Sequence, residues 1–195
     1  MKKIIFTLLL ATSSLIVTGQ EKEEKAKFTL SGSIDTYFRG NISGGNFATA
    51  PGSSFANQPG FALGMINVIA GYEGEKVGFV ADMVYGPRGA DAVFGSPAGS
   101  AQIVNQLYAY WNVTESTTLT LGRFNTYLGY EVISPTGNFN YSVSYLFNAG
   151  PFSHTGFKLD YASSEDLSFM FALTNPHGIT AGSNPTNDYQ LGFQT

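Results

Sequence analysis

Eight segments of period-2 hydrophobicity run along this chain, and the gaps between them alternate strictly between short and long. Residues 28–39 show the period best. Phe28, Leu30, Ile34 and Phe38 share one face with Gly32 and Thr36, while Thr29, Ser31, Ser33, Asp35, Tyr37 and Arg39 share the other. A helix would mix the two sets. Further strands are predicted at 61–72, 77–85, 103–113, 118–128, 155–162, 167–174 and 189–195, and no segment outside the first twenty residues carries a 3.6 period. The gaps at 73–76, 114–117 and 163–166 are tight. Those at 40–60, 86–102, 129–154 and 175–188 are long and rich in Gly, Pro, Asn and Ser.

An antiparallel meander in water has no reason to gather its long loops at one end. An outer-membrane barrel has one, with short periplasmic turns and long outer loops. Most of the segments are close to the roughly 9 to 11 residues that a membrane strand needs. The predicted class is therefore all-β, a transmembrane antiparallel up-and-down β-barrel with about eight strands present. Tyr37, Phe38, Tyr72, Tyr85, Tyr127, Tyr130 and Tyr161 lie near strand ends, where interfacial girdles belong. The competing architecture is a secreted β-sandwich, which also alternates.

Composition agrees. Charged residues make up 12% of 195 residues against the usual ~25%, aromatics reach 14%, and cysteine is absent. Lacking cysteine, the chain can form no disulfide scaffold, zinc-thiolate site or cysteine nucleophile. Residues 1–19 read as a signal peptide: Lys2 and Lys3 precede an apolar run, and Val17-Thr18-Gly19 offers a cleavage site. That run is short of the ~20 residues a helical span needs. Residues 20–27 form a charged tail, and 28–195 the barrel. From Phe28 onward there are five bases against eleven acids, so nucleic acid is not an expected partner.

Gly122-Arg123-Phe124-Asn125-Thr126-Tyr127-Leu128-Gly129-Tyr130-Glu131 resembles a strand-to-loop signature, G-x-F-x-x-x-x-G-x-E, of a β-barrel porin family of Gram-negative bacteria. Residues 138–147, Pro151 and His154-Thr155-Gly156 resemble the segment next to that signature in the family, and residues 31–37 resemble the family's first strand. The resemblance implies an outer-membrane porin passing small hydrophilic solutes, exported through the signal peptide. Its members are larger barrels, so the chain is expected to be an N-terminal portion of a longer protein. Outer-membrane lipid and small hydrophilic solutes are the expected partners, and a homo-oligomer is left open. No enzymatic activity, cofactor or metal is expected: a Gly-x-Ser-x-Gly elbow, a phosphate loop and His-Glu-x-x-His are all missing. The alternative is a small non-conducting barrel with a structural or adhesive role through its long loops.

Seven residues are candidates for the pore lining: Asp35, Arg39, Asp82, Arg123, Glu131, Lys158 and Asp160. Asp35 with Arg39, and Lys158 with Asp160, could set the field inside a pore or form wall-stabilising ion pairs. Asp82 is a lone acid. Arg123 and Glu131 flank the long gap at 129–154 and become constriction residues if that loop enters the lumen, whereas a loop capping the mouth leaves Glu131 solvated. The acid surplus predicts a mild cation preference. His154 and His177 read as loop residues.

Overall fold

The computed structural model describes residues 26–42, 55–93, 103–176 and 187–195. The expected signal peptide, the tail up to residue 25, and His177 lie outside the described residues.

All eight predicted strands form: β1 (Lys27–Arg39), β2 (Gly60–Glu73), β3 (Val77–Tyr85), β4 (Val104–Thr114), β5 (Thr117–Asn125), β6 (Ser153–Ala162), β7 (Ser168–Thr174) and β8 (Gln190–Gln194). They make one antiparallel sheet in sequential order, β1 to β8. This is the up-and-down wall of a transmembrane β-barrel, with β1 and β8 as open edges. The sandwich is ruled out, because a sandwich needs two stacked sheets. Short turns lie at one end, the turn end, and the long connections at the other, the loop end.

The two faces divide as the alternation predicts. Leu30, Ile34, Phe38, Phe61, Leu63, Leu121 and Leu191 stand on the outer face, each more than 60% exposed. In water so large an apolar surface would be a liability, since monomeric soluble proteins rarely expose more than a few hundred Å² of it. In hydrocarbon it is the favoured solvent. Asp35, Asn67, Asp82, Tyr108, Thr120 and Lys158 point to the inner face, buried or half-buried.

A bulge breaks the β1–β2 ladder. Ile34 pairs with Ile66 and Thr36 with Leu63, so Gly64 and Met65 together oppose Asp35. A Cβ on Gly64 would collide with Asp35 Oδ2, so a larger residue there would have to displace that carboxylate.

Among the described residues the loop end holds two α-helices that the sequence reading did not expect. α1 (Pro87–Ala92) follows Gly86 with proline in its first turn, and α2 (Tyr145–Ala149) is capped by Ser144, whose hydroxyl accepts from Phe147 N at 3.1 Å. Both are under two turns long, too short to register a 3.6 period. β5 ends at Asn125, three residues early, because Thr126 Oγ1 accepts the Leu128 amide and turns the chain.

Around α1 and α2 lies a dry core. Phe55, Ala92, Val93, Ile133, Val143, Phe147 and Phe152 from the connections bury Met65 of β2 and Val84 of β3. Phe147 and Phe152 stack at 4.8 Å, and Phe55 meets Phe152 edge-on at 5.9 Å.

Candidate functional site

The inner face is crossed by the β5–β6 connection, residues 126–152, here called the strap. Its near end is fixed by Thr126 N donating to Phe152 O at 3.0 Å. Its middle reaches the first strand, where Tyr141 OH donates to Asp35 Oδ2 at 2.9 Å. The Tyr141 and Tyr37 rings lie 6.2 Å apart beside that bond. At the other side Tyr127 O accepts from Gln194 Nε2, and a Cβ on Gly192 would meet the Tyr127 hydroxyl. The strap thus touches both edge strands from inside. Tyr37 and Tyr127, expected in the girdles, turn to the inner face instead, while Phe38, Tyr85 and Tyr161 remain exposed.

The glycine signature in the sequence builds the root of this strap. Gly122 has φ +135°, and a Cβ there would collide with Leu107 O, so β4 and β5 approach closely at this point. Phe124 is buried two residues on.

The seven candidate residues fall into different environments. Asp35 and Arg39 do not bond each other: Asp35 receives the Tyr141 phenol, and Arg39 Nη1 donates to Asn57 O at 3.4 Å. Lys158 and Asp160 do pair, at 2.6 Å, two positions apart on β6. The Lys158 ammonium also lies 5.7 Å from the Phe124 ring centre. Asp82 is 3% exposed and receives amide donors from three side chains: Asn67, Asn105 at 2.6 Å and Gln106 at 3.1 Å. These neutral donors satisfy a carboxylate that has been removed from water, as a buried charge requires.

Arg123 is buried, with Nε donating to Ser153 Oγ at 3.0 Å across the strap's base. Glu131 accepts from Ser144 N at 2.7 Å and from the Ser144 hydroxyl, so it fixes the start of α2. Both therefore brace the strap from within. His154, expected in a loop, lies in β6, 7% exposed, its ring stacked on Tyr127 at 4.1 Å and Nε2 bonded to Thr126 Oγ1 at 3.0 Å. Among the described residues no group of three or more His, Asp or Glu side chains gathers to hold a metal.

Two residues at the centre of the site were missed in the sequence. Arg88 of α1 is fully buried, donating from Nε to Ile133 O at 2.7 Å and from Nη1 to Tyr141 O at 3.2 Å. Its guanidinium lies 4.9 Å from the Phe55 ring centre and 5.1 Å from that of Tyr141. Burial pulls its pKa below the ordinary value, against the upward pull of Tyr141 and Asp35. Tyr141 is the other. Burial, then its hydrogen bond to Asp35 and that carboxylate's charge, push its phenol up to about 12. Nothing in local periodicity marks either residue. Arg88 is conspicuous only as one of five bases after the tail.

A family described as "Putative beta-barrel porin-2, OmpL-like" matches residues 27–195. No curated protein and no solved structure matches the chain.

Proposed function

The chain belongs to the OmpL-like beta-barrel porin-2 family, and we propose that it is an outer-membrane porin through which small hydrophilic solutes diffuse passively, with a mild preference for cations. The observation that carries this reading is the strap on the inner face, bonded to Asp35 of the first strand. A wall polar inside and apolar outside, narrowed by an inward connection, suits a wet passage that sieves by size.

Export through the signal peptide at 1–19 belongs to the same proposal. So does closure of the barrel. Unpaired backbone groups cost several kcal/mol each in hydrocarbon, so the free edges of β1 and β8 must find strand partners in the membrane. Further strands of a longer chain would supply them.

The cation preference has a local source. At the turn end Glu73, Glu75, Glu115, Glu165 and Asp166 are all exposed, and among the described residues the bases at that end are Lys27 and Lys76. Buried or paired cations elsewhere do not offset this rim. The effect is long-range and fades at high salt.

Planar-bilayer recording of the full-length product tests the reading. Ion-conducting steps are expected, with a reversal potential favouring cations that shrinks as salt rises. A sealed bilayer at protein levels that insert would overturn it in favour of a non-conducting barrel acting through its outer loops. Anion preference would overturn the charge assignment alone.

A further inference from the structure

The outer wall is notched on its middle strands. Ala109 of β4 pairs with Phe79 of β3 on one side and with Leu121 of β5 on the other, and Leu121 pairs in turn with Phe157 of β6. All four stand on the outer face. A single methyl group among longer side chains leaves a hollow of about 550 Å³, lined almost wholly by apolar atoms. Trp111, the only tryptophan in the sequence, lines it two residues nearer the turn end and is half-exposed. The notch lies away from the open edges of β1 and β8, so its shape does not depend on what completes the sheet. The two turns beside it carry both signs of charge. Asn112 N donates to Lys76 O at 2.7 Å, which holds the β2–β3 turn against β4 next to Trp111. Lys76 is exposed there, with Glu73 and Glu75 at the same turn and Glu115 at the next.

We infer that this notch seats one acyl chain of a zwitterionic phospholipid from the leaflet at the turn end, with the phosphate meeting Lys76 and the ammonium meeting the glutamates. The seat goes beyond the porin reading and does not require a conducting passage. In hydrocarbon no water is released when apolar surfaces meet, so one stretch of wall differs from another by the contacts it offers. A flexible, unbranched chain fills the hollow beside Ala109 and touches side chains around it, whereas a smooth wall touches it on one side. It therefore stays longer than its neighbours in the membrane. Trp111 marks the depth of the headgroup boundary, where indole rings settle. Three carboxylates against one ammonium disfavour a headgroup of net negative charge.

The test reads Trp111 emission, isolated as the difference between the unaltered full-length protein and Trp111→Phe. Both are reconstituted in vesicles of phosphatidylglycerol with a minor share of phosphatidylethanolamine, the bromines being placed on the acyl chains of one lipid or the other. Quenching by brominated phosphatidylethanolamine should exceed its bulk share by about twofold. Quenching by brominated phosphatidylglycerol should fall below its share. Ala109→Phe fills the hollow and should return both to the bulk ratio, while Leu63→Phe, on the outer face of β2, should leave them unchanged. Lys76→Glu, in an exposed turn where the wall is not disturbed, should abolish the preference between headgroups. Quenching at the bulk ratio in the unaltered protein, or an excess that survives Ala109→Phe, would overturn the seat. An excess blind to headgroup and to Lys76→Glu would overturn the headgroup assignment. Weak quenching in a protein whose dimers dissociate in Ala109→Phe would give the notch to a second copy of the chain instead. None of these readouts involves conductance, so failure of the porin reading would be seen separately.

Discussion

Phe55 and Phe61 are six positions apart and live in opposite worlds. Phe55 is 5% exposed in the dry core of the loop end, and Phe61 is 91% exposed on the outer face. At the turn end and along the strands, apolar side chains point away from the protein and polar ones toward it. At the loop end the ordinary order of a water-soluble domain returns, with Ile133, Val143 and Phe147 inside. The same residue type therefore reports the local solvent, lipid or water, and its burial follows from that solvent. The dry core stabilises a scaffold that projects Tyr141 onto the inner wall, while the strand half stabilises only the wall itself.

The sharpest way to break this contrast is to remove a ring from the loop core. Phe147→Ala deletes a buried side chain stacked on Phe152 and should destabilise the loop end by about 3–5 kcal/mol. Proteolysis in liposomes should then cut within residues 126–152 while the strands stay protected. Equal protection would mean that the loop end is not an independently packed core.

A somewhat smaller effect is expected from a charge on the lipid face. Leu121 lies midway along β5 and is 66% exposed, so Leu121→Arg should cost about 2–4 kcal/mol in lipid unfolding experiments. Leu146, 85% exposed on α2, should accept arginine at a cost within about 0.5 kcal/mol. Similar costs at the two sites would erase the distinction between their solvents.

The smallest effect is a titration. The Tyr141 phenol titrates at about 12 when docked and near 10 when released. A raised acid pKa favours the docked, protonated form, so docking is stable below pH 10 and weakens as pH rises from about 10 to 12. Ultraviolet difference spectra should show a late tyrosine ionisation that Tyr141→Phe removes, and Asp35→Asn should bring it earlier. Because burial is the larger cause, only a late step at an unchanged pH in that variant would remove Asp35 as a cause.

The wall was legible in the sequence because a strand writes its environment every second residue. Alternation placed all eight strands, the side of Asp35 and Asp82, and the end at which each connection lies. The strap was legible in position but not in path. Its anchors are contacts between residues 53 and 106 positions apart, and no local pattern encodes them. Two helices of five and six residues left no period to read. Arg123 and Glu131 look exposed to a passage when only their place beside a long gap is known, and the serines they bond, Ser153 and Ser144, carry no reciprocal signature. Tyr127 went astray for a related reason, while Tyr37 takes the inner face on which alternation placed it with Asp35. Proximity to a strand end does not say which side a ring will take when a loop returns to meet it.

The bond from Tyr141 to Asp35 also orders events in time. Asp35 lies in the first strand, and the strap that must find it comes after the fifth. Loop closure over so many residues is slow and entropically costly unless intervening strands have already brought the ends together. Pairing of β1 to β5 therefore lowers the entropic cost of the Tyr141–Asp35 bond, because it brings residues so far apart in sequence onto one wall.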